Sequence, residues 1–434
     1  MPTRRTFLQT STAAGVALGT TAIASANAAN NKLTVGLIGC GGRGPGVANG
    51  MRSGRDVEIA YVCDPDRTRL AARAKQFGVP GERAVTDMRK LLDDKSLDAV
   101  IVATCDHWHA PAAIAACEAG KHVYVEKPCS HNFREGQLLV EAARKHKCVV
   151  QHGTQSRSSQ LIADGIAMLR EGIIGDVLVS KAWNVQRRGS IGKAQPEKAP
   201  SHVDYDTWVG PAAFLPYQSN RLHYKWHWWR NFGTGDMGND GVHELDYAVW
   251  GLGVDTHPTH IAGLGGKLAY DDDQEFPDTQ NIVFEWPGGV GQRKQLIFEM
   301  RLWSTSAPHG IDNGVEFYGT KGKMLLTKRG VREVYLDRNQ RVPNAAPKEP
   351  YPLKESNHQH DFVDAIVEGR QPQADIEIGH RSSALCHLGN IAAQLGRSLQ
   401  FDAEKQVIVG DEEATRLLSR EYRDGGHWAV PQGV

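Results

Sequence analysis

The sequence contains few cysteines, and no two of them form a recognisable pair. Seven of its 434 residues are cysteine, an odd number, and no CxxC motif occurs. This spacing excludes the common cysteine-based zinc sites, and isolated cysteines usually act as small hydrophobic side chains. The pattern His358-Gln359-His360 also looks metal-like, but residues two apart on a helix diverge. We therefore expect no metal centre.

An excess of charge of either sign is also missing. Lys and Arg together number 50, as do Asp and Glu, so the formal net charge is zero. Without a basic excess we expect no nucleic-acid partner. Beyond the N-terminus no apolar run is long enough to cross a bilayer, so we expect no membrane span after processing.

The N-terminal segment resembles a twin-arginine export signal. Arg4 and Arg5 precede a weakly apolar run over 13–24, and Ala-x-Ala cleavage patterns follow at 24–26 and 26–28. Charge, apolar run and cleavage site occur in the order of a signal peptide, although a disordered or amphipathic tail is the alternative. We predict a signal peptide over 1–28 and a periplasmic or otherwise exported protein.

Residues 32–151 alternate short apolar runs with helical patterns over 68–77, 111–119 and 134–146. Apolar strands separated by helices are typical of a parallel sheet that is covered on both faces. We therefore predict an α/β fold whose N-terminal part is a doubly wound Rossmann domain. The predicted strands are Leu33–Ile38, Val57–Val62, Ala99–Ala103, His122–Val125 and Cys148–Gln151.

The loop after the first strand is rich in glycine and matches G-x-G-x-x-G. Such a loop turns tightly, lets the backbone approach a pyrophosphate and opens a helix whose N–H groups face the phosphates. Asp64 ends the second strand, where an acid bonds ribose hydroxyls and repels a 2′-phosphate, so NAD is favoured. Arg67 and Arg69 leave NADP open, and a turn or helix cap is the alternative role for Asp64. The predicted cofactor contacts here are Gly39, Gly41, Gly42, Arg43, Gly44 and Asp64.

Two further segments follow the third and fourth strands: 103–111, reading ATCDHWHAP, and 125–128, reading VEKP. With the glycine loop they resemble the glucose-fructose oxidoreductase, inositol dehydrogenase and rhizopine-catabolism (Gfo/Idh/MocA) family, over nearly the whole chain from about residue 32. The resemblance implies a Rossmann domain over 32–151 and an α+β domain over 152–434. That second domain would carry an open, mostly antiparallel sheet used for substrate binding and for assembly into a homo-oligomer, a dimer or tetramer.

The resemblance also implies roles for residues just past the strand ends, where ligands of α/β sheets bind. Glu126 would bind the nicotinamide ribose, and Lys127 would both touch the cofactor and face the reacting carbon. Thr104 and His107 are expected beside the cofactor. His109 is expected to pack or cap the helix before Pro111.

The second domain shows a helical pattern over 159–172 and strand patterns without helical spacers, which suits an antiparallel sheet. The predicted strands are Val177–Val185, Asn281–Trp286, Gln295–Met300, Gly314–Tyr318 and Lys323–Thr327.

A histidine follows a glycine- and aspartate-rich stretch at 233–246. On a helix Asn239, Asp240 and Asp246 share a face with His243, and a histidine beside carboxylates carries protons near neutral pH. The family commonly has aspartate where this chain has Asn239. We predict Lys127, His243 and Asp240 as catalytic, with Asp240 or Asp236 replacing the missing carboxylate or His243 acting alone; for Asp236 a helix cap is the favoured role.

An aromatic and basic cluster at 224–231 suits a carbohydrate, since flat rings cover C–H faces and polar groups bond hydroxyls. Strand-like alternation would point Trp226 and Trp228 the same way, although a core or interface cluster is the alternative. The predicted substrate contacts are Gln155, Arg157, Asn184, Trp226, Trp228, Arg230 and Asn239.

These features predict an NAD-dependent oxidoreductase that acts on a secondary hydroxyl of a small carbohydrate: a sugar, glycoside or cyclitol. Because an exported enzyme meets no soluble NAD pool, the cofactor should stay tightly bound. One alternative is an NAD-dependent glycosidase that oxidises C3 transiently and eliminates the aglycone. The other is a non-catalytic NAD-binding protein.

Overall fold

The structure is a computed structural model that describes residues 32–434. The predicted signal peptide lies outside the described residues. Across the described part of the chain, no helix is both long and apolar enough to cross a membrane.

The first layer of the fold is a six-stranded parallel sheet with strand order β3-β2-β1-β4-β5-β6. Its central strands are almost wholly buried, as strands covered by helices on both faces must be. The order reverses beside β1, and this switch point opens the crevice in which α/β sheets bind ligands. The strands are β1 Leu33–Ile38, β2 Val57–Cys63, β3 Ala84–Val85, β4 Ala99–Val102, β5 His122–Val125 and β6 Val150–His152.

Helices connect these strands, and one of them begins earlier than predicted. The pattern predicts a helix from Pro111, whereas the structure starts it at Asp106. Proline inside a helix leaves the carbonyl four residues earlier without its amide partner. That carbonyl, of His107, accepts a hydrogen bond from Arg420 at 2.8 Å. The helices are α1 Arg43–Arg52, α2 Arg67–Phe77, α3 Arg89–Leu92, α4 Asp106–Glu118 and α5 Phe133–Lys145.

The second body is built on a ten-stranded sheet with order β14-β13-β12-β11-β7-β10-β9-β8-β15-β16. Only the β7–β10 pair is parallel, so the predicted open and mostly antiparallel sheet is confirmed. The strands are β7 Val177–Asn184, β8 His260–Gly266, β9 Thr279–Trp286, β10 Lys294–Arg301, β11 Asn313–Gly319, β12 Gly322–Leu326, β13 Arg332–Leu336, β14 Gln340–Val342, β15 Leu399–Asp402 and β16 Val407–Ile408.

Helices cover one face of this sheet: α8 packs on β7 and α10 packs on β8. Alternate side chains such as Phe284, Phe298 and Phe317 point into the core beneath them. The helices are α6 Gln160–Arg170, α7 Tyr205–Val209, α8 Val242–Leu252, α9 His358–Glu368, α10 Ile376–Leu395 and α11 Glu412–Arg416.

Late segments of the chain return to the first body. Phe362 and Val363 of α9 join the core cluster of Leu37 and Ile101, and Ala429 joins the cluster around α4 and α5. The Rossmann body is thus completed by residues far beyond 151, and the C-terminal tail is brought to its ligand-binding edge.

Candidate active site

A cavity of about 520 Å³ lies at the carboxyl ends of β1 to β5, between the two bodies. Its walls come from the loops that follow these strands, from the 223–227 segment and from the C-terminal tail. A crevice at this edge of a doubly wound sheet is where a dinucleotide binds.

The glycine loop has the geometry that a pyrophosphate requires. Gly39 has φ +96°, and a Cβ there would lie 2.3 Å from the carbonyl oxygen of Ala103. A Cβ on Gly44 would lie 2.2 Å from the Gly39 oxygen, so both positions exclude side chains. Gly41, Gly42 and Arg43 line the cavity at the start of α1. The loop and helix N-terminus therefore fit a dinucleotide phosphate.

Asp64 lines the cavity and is nearly buried. Its carboxylate accepts hydrogen bonds from the backbone N–H groups of Cys40 at 2.7 Å and Asp66 at 2.8 Å. Burial raises the pKa of Asp64. The helix cap is instead Asp66, which accepts from the amides that open α2. Asp64 thus links the glycine loop to the turn after β2 and presents its remaining lone pairs to the cavity.

Glu126 and Lys127 occupy the other end of the cavity, after β5. The Glu126 carboxylate accepts from Arg43 Nε at 2.9 Å, and a Cβ on Gly153 would lie only 3.0 Å from it. Lys127 Nζ donates to the backbone oxygen of Asn239 and lies 3.3 Å from its side-chain oxygen. The predicted cofactor and reaction ends are thus held in one cavity, with Thr104 also in its wall.

The orientation of the Asn239 amide is set by a buried carboxylate. Asn239 Nδ2 donates to Asp236 Oδ1 at 2.8 Å, which turns its oxygen toward Lys127. Asp236 is fully buried and also accepts from Arg188 Nε at 3.1 Å and Asn184 Nδ2 at 2.8 Å. The favoured helix-cap role for Asp236 is wrong, because its side chain caps no amide.

Asp240 does not line the cavity, so it is not placed to act on a bound substrate as predicted. Its carboxylate accepts from Lys328 Nζ at 2.9 Å, and Lys328 also pairs with the buried Glu244 at 3.0 Å. The reason is local, because residues 237–241 form a π-helical turn before α8, and helical spacing of 3.6 residues does not apply there. The Asp246 carboxylate is likewise ion-paired with another residue, Arg157.

His243 is the second residue of α8 and lies partly buried near the positive charges of Lys328 and Lys127. Burial foremost, and then these charges, lower the pKa of His243 well below its ordinary value. The ring is therefore neutral at neutral pH, with one donor and one acceptor nitrogen. His243 is not among the residues that form the cavity wall, although Lys127, whose charge helps to lower the pKa of His243, is one of them.

Of the two histidines of α4, the structure brings His109 rather than His107 to the cavity, although His109 is also packed as predicted. His107 is fully buried outside the cavity, its ring nitrogens 3.0 Å from the Trp208 oxygen and 3.3 Å from the Phe232 oxygen. His109 lines the cavity, with Nδ1 2.6 Å from the Pro128 oxygen. Burial lowers the pKa of His109 to about 4, so it is neutral. This placement follows from the earlier start of α4, which sets the direction of each side chain.

The aromatic cluster is helical rather than extended. Lys225–Trp228 form a 3₁₀ helix, and Trp226 and its neighbour His227 line the cavity together, stacked with ring centroids 3.6 Å apart. Trp228 is buried in the core, and Arg230 lies over the Phe276 ring; both are outside the cavity wall. The alternation argument fails because a 3₁₀ turn has no two-residue period.

Three other predicted substrate contacts lie away from the cavity. Arg157 forms a buried ion pair with Asp246 at 2.9 Å, with its guanidinium 4.5 Å from the Trp250 ring centre. Gln155 donates to the Tyr124 hydroxyl at 3.1 Å, and Asn184 serves Asp236 as described. Their polar groups are satisfied within the fold.

The structure also places residues in the cavity that sequence reasoning did not select. Asp106 is fully buried, accepts from Thr234 Oγ1 at 2.6 Å and has a pKa that burial raises to about 7. It stands within the quoted ATCDHWHAP segment, so an acid at the first position of a helix was available as a signal. Trp428 and His427, by contrast, reach the cavity from the C-terminal tail, for which the sequence offers no signal.

Known proteins are similar to this chain in sequence or in fold. Inositol 2-dehydrogenase 2 of Saccharopolyspora erythraea is 28% identical over 298 residues, 68% of this chain and 73% of the relative. A glycosyl hydrolase family 109 protein of Shewanella pealeana is 29% identical over 208 residues, 41% and 45% of the two chains. A levoglucosan dehydrogenase structure in complex with NADH has a TM-score of 0.64 at 19% identity, covering 85% of this chain and 99% of that one.

Two family models match the chain. Residues 33–154 match the oxidoreductase family's NAD-binding Rossmann fold, and residues 173–271 and 325–429 match its C-terminal alpha/beta domain. These ranges cover the glycine loop, Glu126 and Lys127 in the first body and His243 in the second. The chain therefore belongs to the Gfo/Idh/MocA family and is an NAD-dependent oxidoreductase.

Proposed function

We propose that this enzyme oxidises a secondary hydroxyl of a sugar, glycoside or cyclitol with a tightly held NAD. The observation that carries the proposal is the meeting of Lys127 with Asn239 inside the dinucleotide cavity. There an ammonium group from the Rossmann body reaches the second body, at the opposite end from Asp64. A substrate bound between the two bodies would be within reach of both.

The residues at this end supply the proton chemistry of alcohol oxidation. When it is bound in the cavity, the cofactor would supply the acceptor for the hydride of the carbinol carbon. Lys127, a donor of up to three hydrogen bonds, holds the hydroxyl oxygen and stabilises the negative charge that develops on it. His243, which lies outside the cavity wall and is neutral because of its burial, would accept the hydroxyl proton through an intervening water.

The substrate class follows from the lining of the same end. The stacked pair of Trp226 and His227 offers a flat face to the C–H side of a ring, and Tyr224 stands beside it. The Asn239 oxygen and Lys127 offer an acceptor and a donor for hydroxyls. Relatives named for inositol and levoglucosan agree with a polyhydroxylated ring.

The first experiment tests cofactor and catalytic residues together. The purified protein is denatured and the released nucleotide is assayed; bound NAD is expected. Lys127→Ala and His243→Ala should each lower turnover by roughly two orders of magnitude with NAD still bound. Lys348→Ala, an exposed lysine outside the cavity, is the matched control. Wild-type turnover in either active-site variant removes that residue from the mechanism.

A second candidate is a glycosidase that oxidises C3 transiently, eliminates the aglycone, adds water and reduces the product again. The similarity to glycosyl hydrolase family 109 proteins favours keeping it. Incubation with a panel of glycosides separates the two by mass spectrometry. Net oxidation yields keto-sugars, whereas the hydrolytic cycle yields free aglycone and sugar without a change in the redox state of the bound cofactor.

We also propose export by the twin-arginine route, based on residues 1–28. The Arg4→Lys and Arg5→Lys double variant should accumulate as precursor in the cytoplasm; a processed, exported double variant refutes the signal.

For assembly we propose a homo-oligomer formed through the sheet face opposite the helices, which exposes Leu264 and Tyr318. Light scattering after gel filtration measures this, and a monomeric mass contradicts it.

A further inference from the structure

We propose that Asp66, His202 and His223 form a binding site for a divalent transition-metal ion at the rim of the cofactor cavity. Their donor atoms all lie within 4.8 Å of one another. The Nε2 atoms of His223 and His202 lie 3.0 Å and 4.0 Å from Asp66 Oδ2. The three residues come from separate segments, so no sequence spacing announces the site.

The carboxylate is held so that one oxygen faces the imidazoles. Asp66 Oδ1 accepts from the amides of Thr68 at 2.8 Å and Arg69 at 3.2 Å, which leaves Oδ2 directed at the histidines. The Asp66 side chain is only 5% exposed, whereas that of His202 is 48% exposed. An ion can therefore enter from solvent and keep a water as a further ligand.

The backbone brings the segments together without the ion. Arg67 N–H donates to the His202 oxygen at 2.9 Å, and Asp204 N–H donates to the Pro65 oxygen at 3.0 Å. Asp66 and Val203 form an antiparallel bridge. His202 is thus fixed opposite Asp66 by hydrogen bonds that involve neither side chain, which is the preorganisation that a ligand set needs.

The three donor atoms of the site determine which metal ions it would bind most tightly. Two imidazole nitrogens and one carboxylate oxygen, with an open position, match the three-ligand zinc sites, and such sites bind Zn²⁺ and Co²⁺ far better than Mg²⁺ or Ca²⁺. The Arg69 guanidinium would compete with a metal ion for the Asp66 carboxylate, because its Nε lies 3.7 Å from Asp66 Oδ2. That contact is long, so an ion at direct bonding distance displaces it.

Such an ion would tie the second body to the turn that carries Asp64. His223 and Pro65 line the cavity beside Asp64, so the tie closes the ribose end over the cofactor. Metal binding itself does not depend on the proposed function. Slower cofactor release does rest on it, and the two are measured separately.

The test uses the tag-free chain, stripped with chelator and then dialysed after addition of Zn²⁺ or Co²⁺. About one ion per chain is expected by mass spectrometry of the metal, with visible absorption of the cobalt form. His202→Ala, His223→Ala and Asp66→Asn, which keeps a capping oxygen, should each weaken binding by more than about tenfold. His260→Ala removes an exposed histidine on β8 and should bind like wild type.

Two results overturn the proposal: no stoichiometric ion in the wild type, or equal binding in all four variants, which would mean an adventitious site elsewhere. With the ion bound, NAD should leave at least several-fold more slowly than after chelation. Equal release rates with proven metal binding overturn the cofactor-retaining role. Absence of any bound NAD refutes the proposed function instead, because metal stoichiometry is read independently.

Discussion

Replacing Asn239 with aspartate restores the residue that the family commonly has there, yet the structure predicts that it harms this protein. The Asn239 amide donates to Asp236 Oδ1 at 2.8 Å, and Asp236 is fully buried. In Asn239→Asp a second carboxylate would face the first across a hydrogen-bond distance. The asparagine is therefore the partner that Asp236 requires.

Two contributions determine how much the substitution lowers the free energy of unfolding. A hydrogen bond to a charged group contributes about 1.5–3 kcal/mol, and it is lost. Two carboxylates about 4 Å apart repel by about 4 kcal/mol at an effective dielectric constant near 20. Lys127, with Nζ 3.3 Å from the Asn239 oxygen, offsets part of this repulsion. We expect a net loss in the free energy of unfolding of about 2–4 kcal/mol at neutral pH.

The loss should depend on pH with a defined sign. A neighbouring like charge raises the pKa of a carboxyl in the folded state above its unfolded value. Such a group stabilises least at high pH, so the variant should approach wild type in acid, where its protonated carboxyl can donate to Asp236, and fall below wild type as the pH rises to neutral. Urea unfolding followed by tryptophan fluorescence measures this. An aspartate variant as stable as wild type at neutral pH, with equal or higher turnover, refutes the reasoning.

Three further predictions concern residues whose roles the structure clarified. Arg157→Met should leave Asp246 buried without its partner and lower stability by about 3–5 kcal/mol with KM little changed; a raised KM at unchanged stability would return Arg157 to the substrate site. Gly39→Ala should abolish retention of NAD, because its Cβ meets the Ala103 oxygen; cofactor content of the folded variant checks this. Asp106 has a pKa raised from its ordinary 3.8 to about 7, so wild-type stability should fall as pH rises across that interval, and in Asp106→Asn this fall should be smaller; equal pH profiles count against a titrating Asp106.

Much of the Rossmann body could be predicted because its signals are local. Each strand is a continuous apolar run, and residues just past the carboxyl ends of parallel strands meet at one edge whatever the helices do. Gly39, Asp64 and Lys127 therefore reach the same cavity as expected. The antiparallel character of the second sheet was likewise predicted, because its strand patterns are not separated by helical ones.

The substrate end could not be predicted in the same way, because its side-chain directions depend on backbone type. In the π-helical turn, Asn239 lines the cavity and Asp240 does not. In the 3₁₀ turn, Trp226 and its neighbour line the cavity together. The early start of α4 determines which of its two histidines reaches the cavity. Periodicity assigns a face only once the period is known.

The sequence by itself determined the family, the cofactor cradle and the order of the two bodies, since these rest on contiguous motifs and on strand patterns. The export signal over 1–28 stays a prediction from sequence alone. Only the tertiary structure decided which polar groups are free for chemistry, because their partners lie far along the chain. Arg157 is neutralised by Asp246 and Asp240 by Lys328, whereas Lys127 remains in the cavity. A charged group in a fold is available to a substrate only if distant residues leave part of its charge and hydrogen-bonding capacity free, and no local pattern records that.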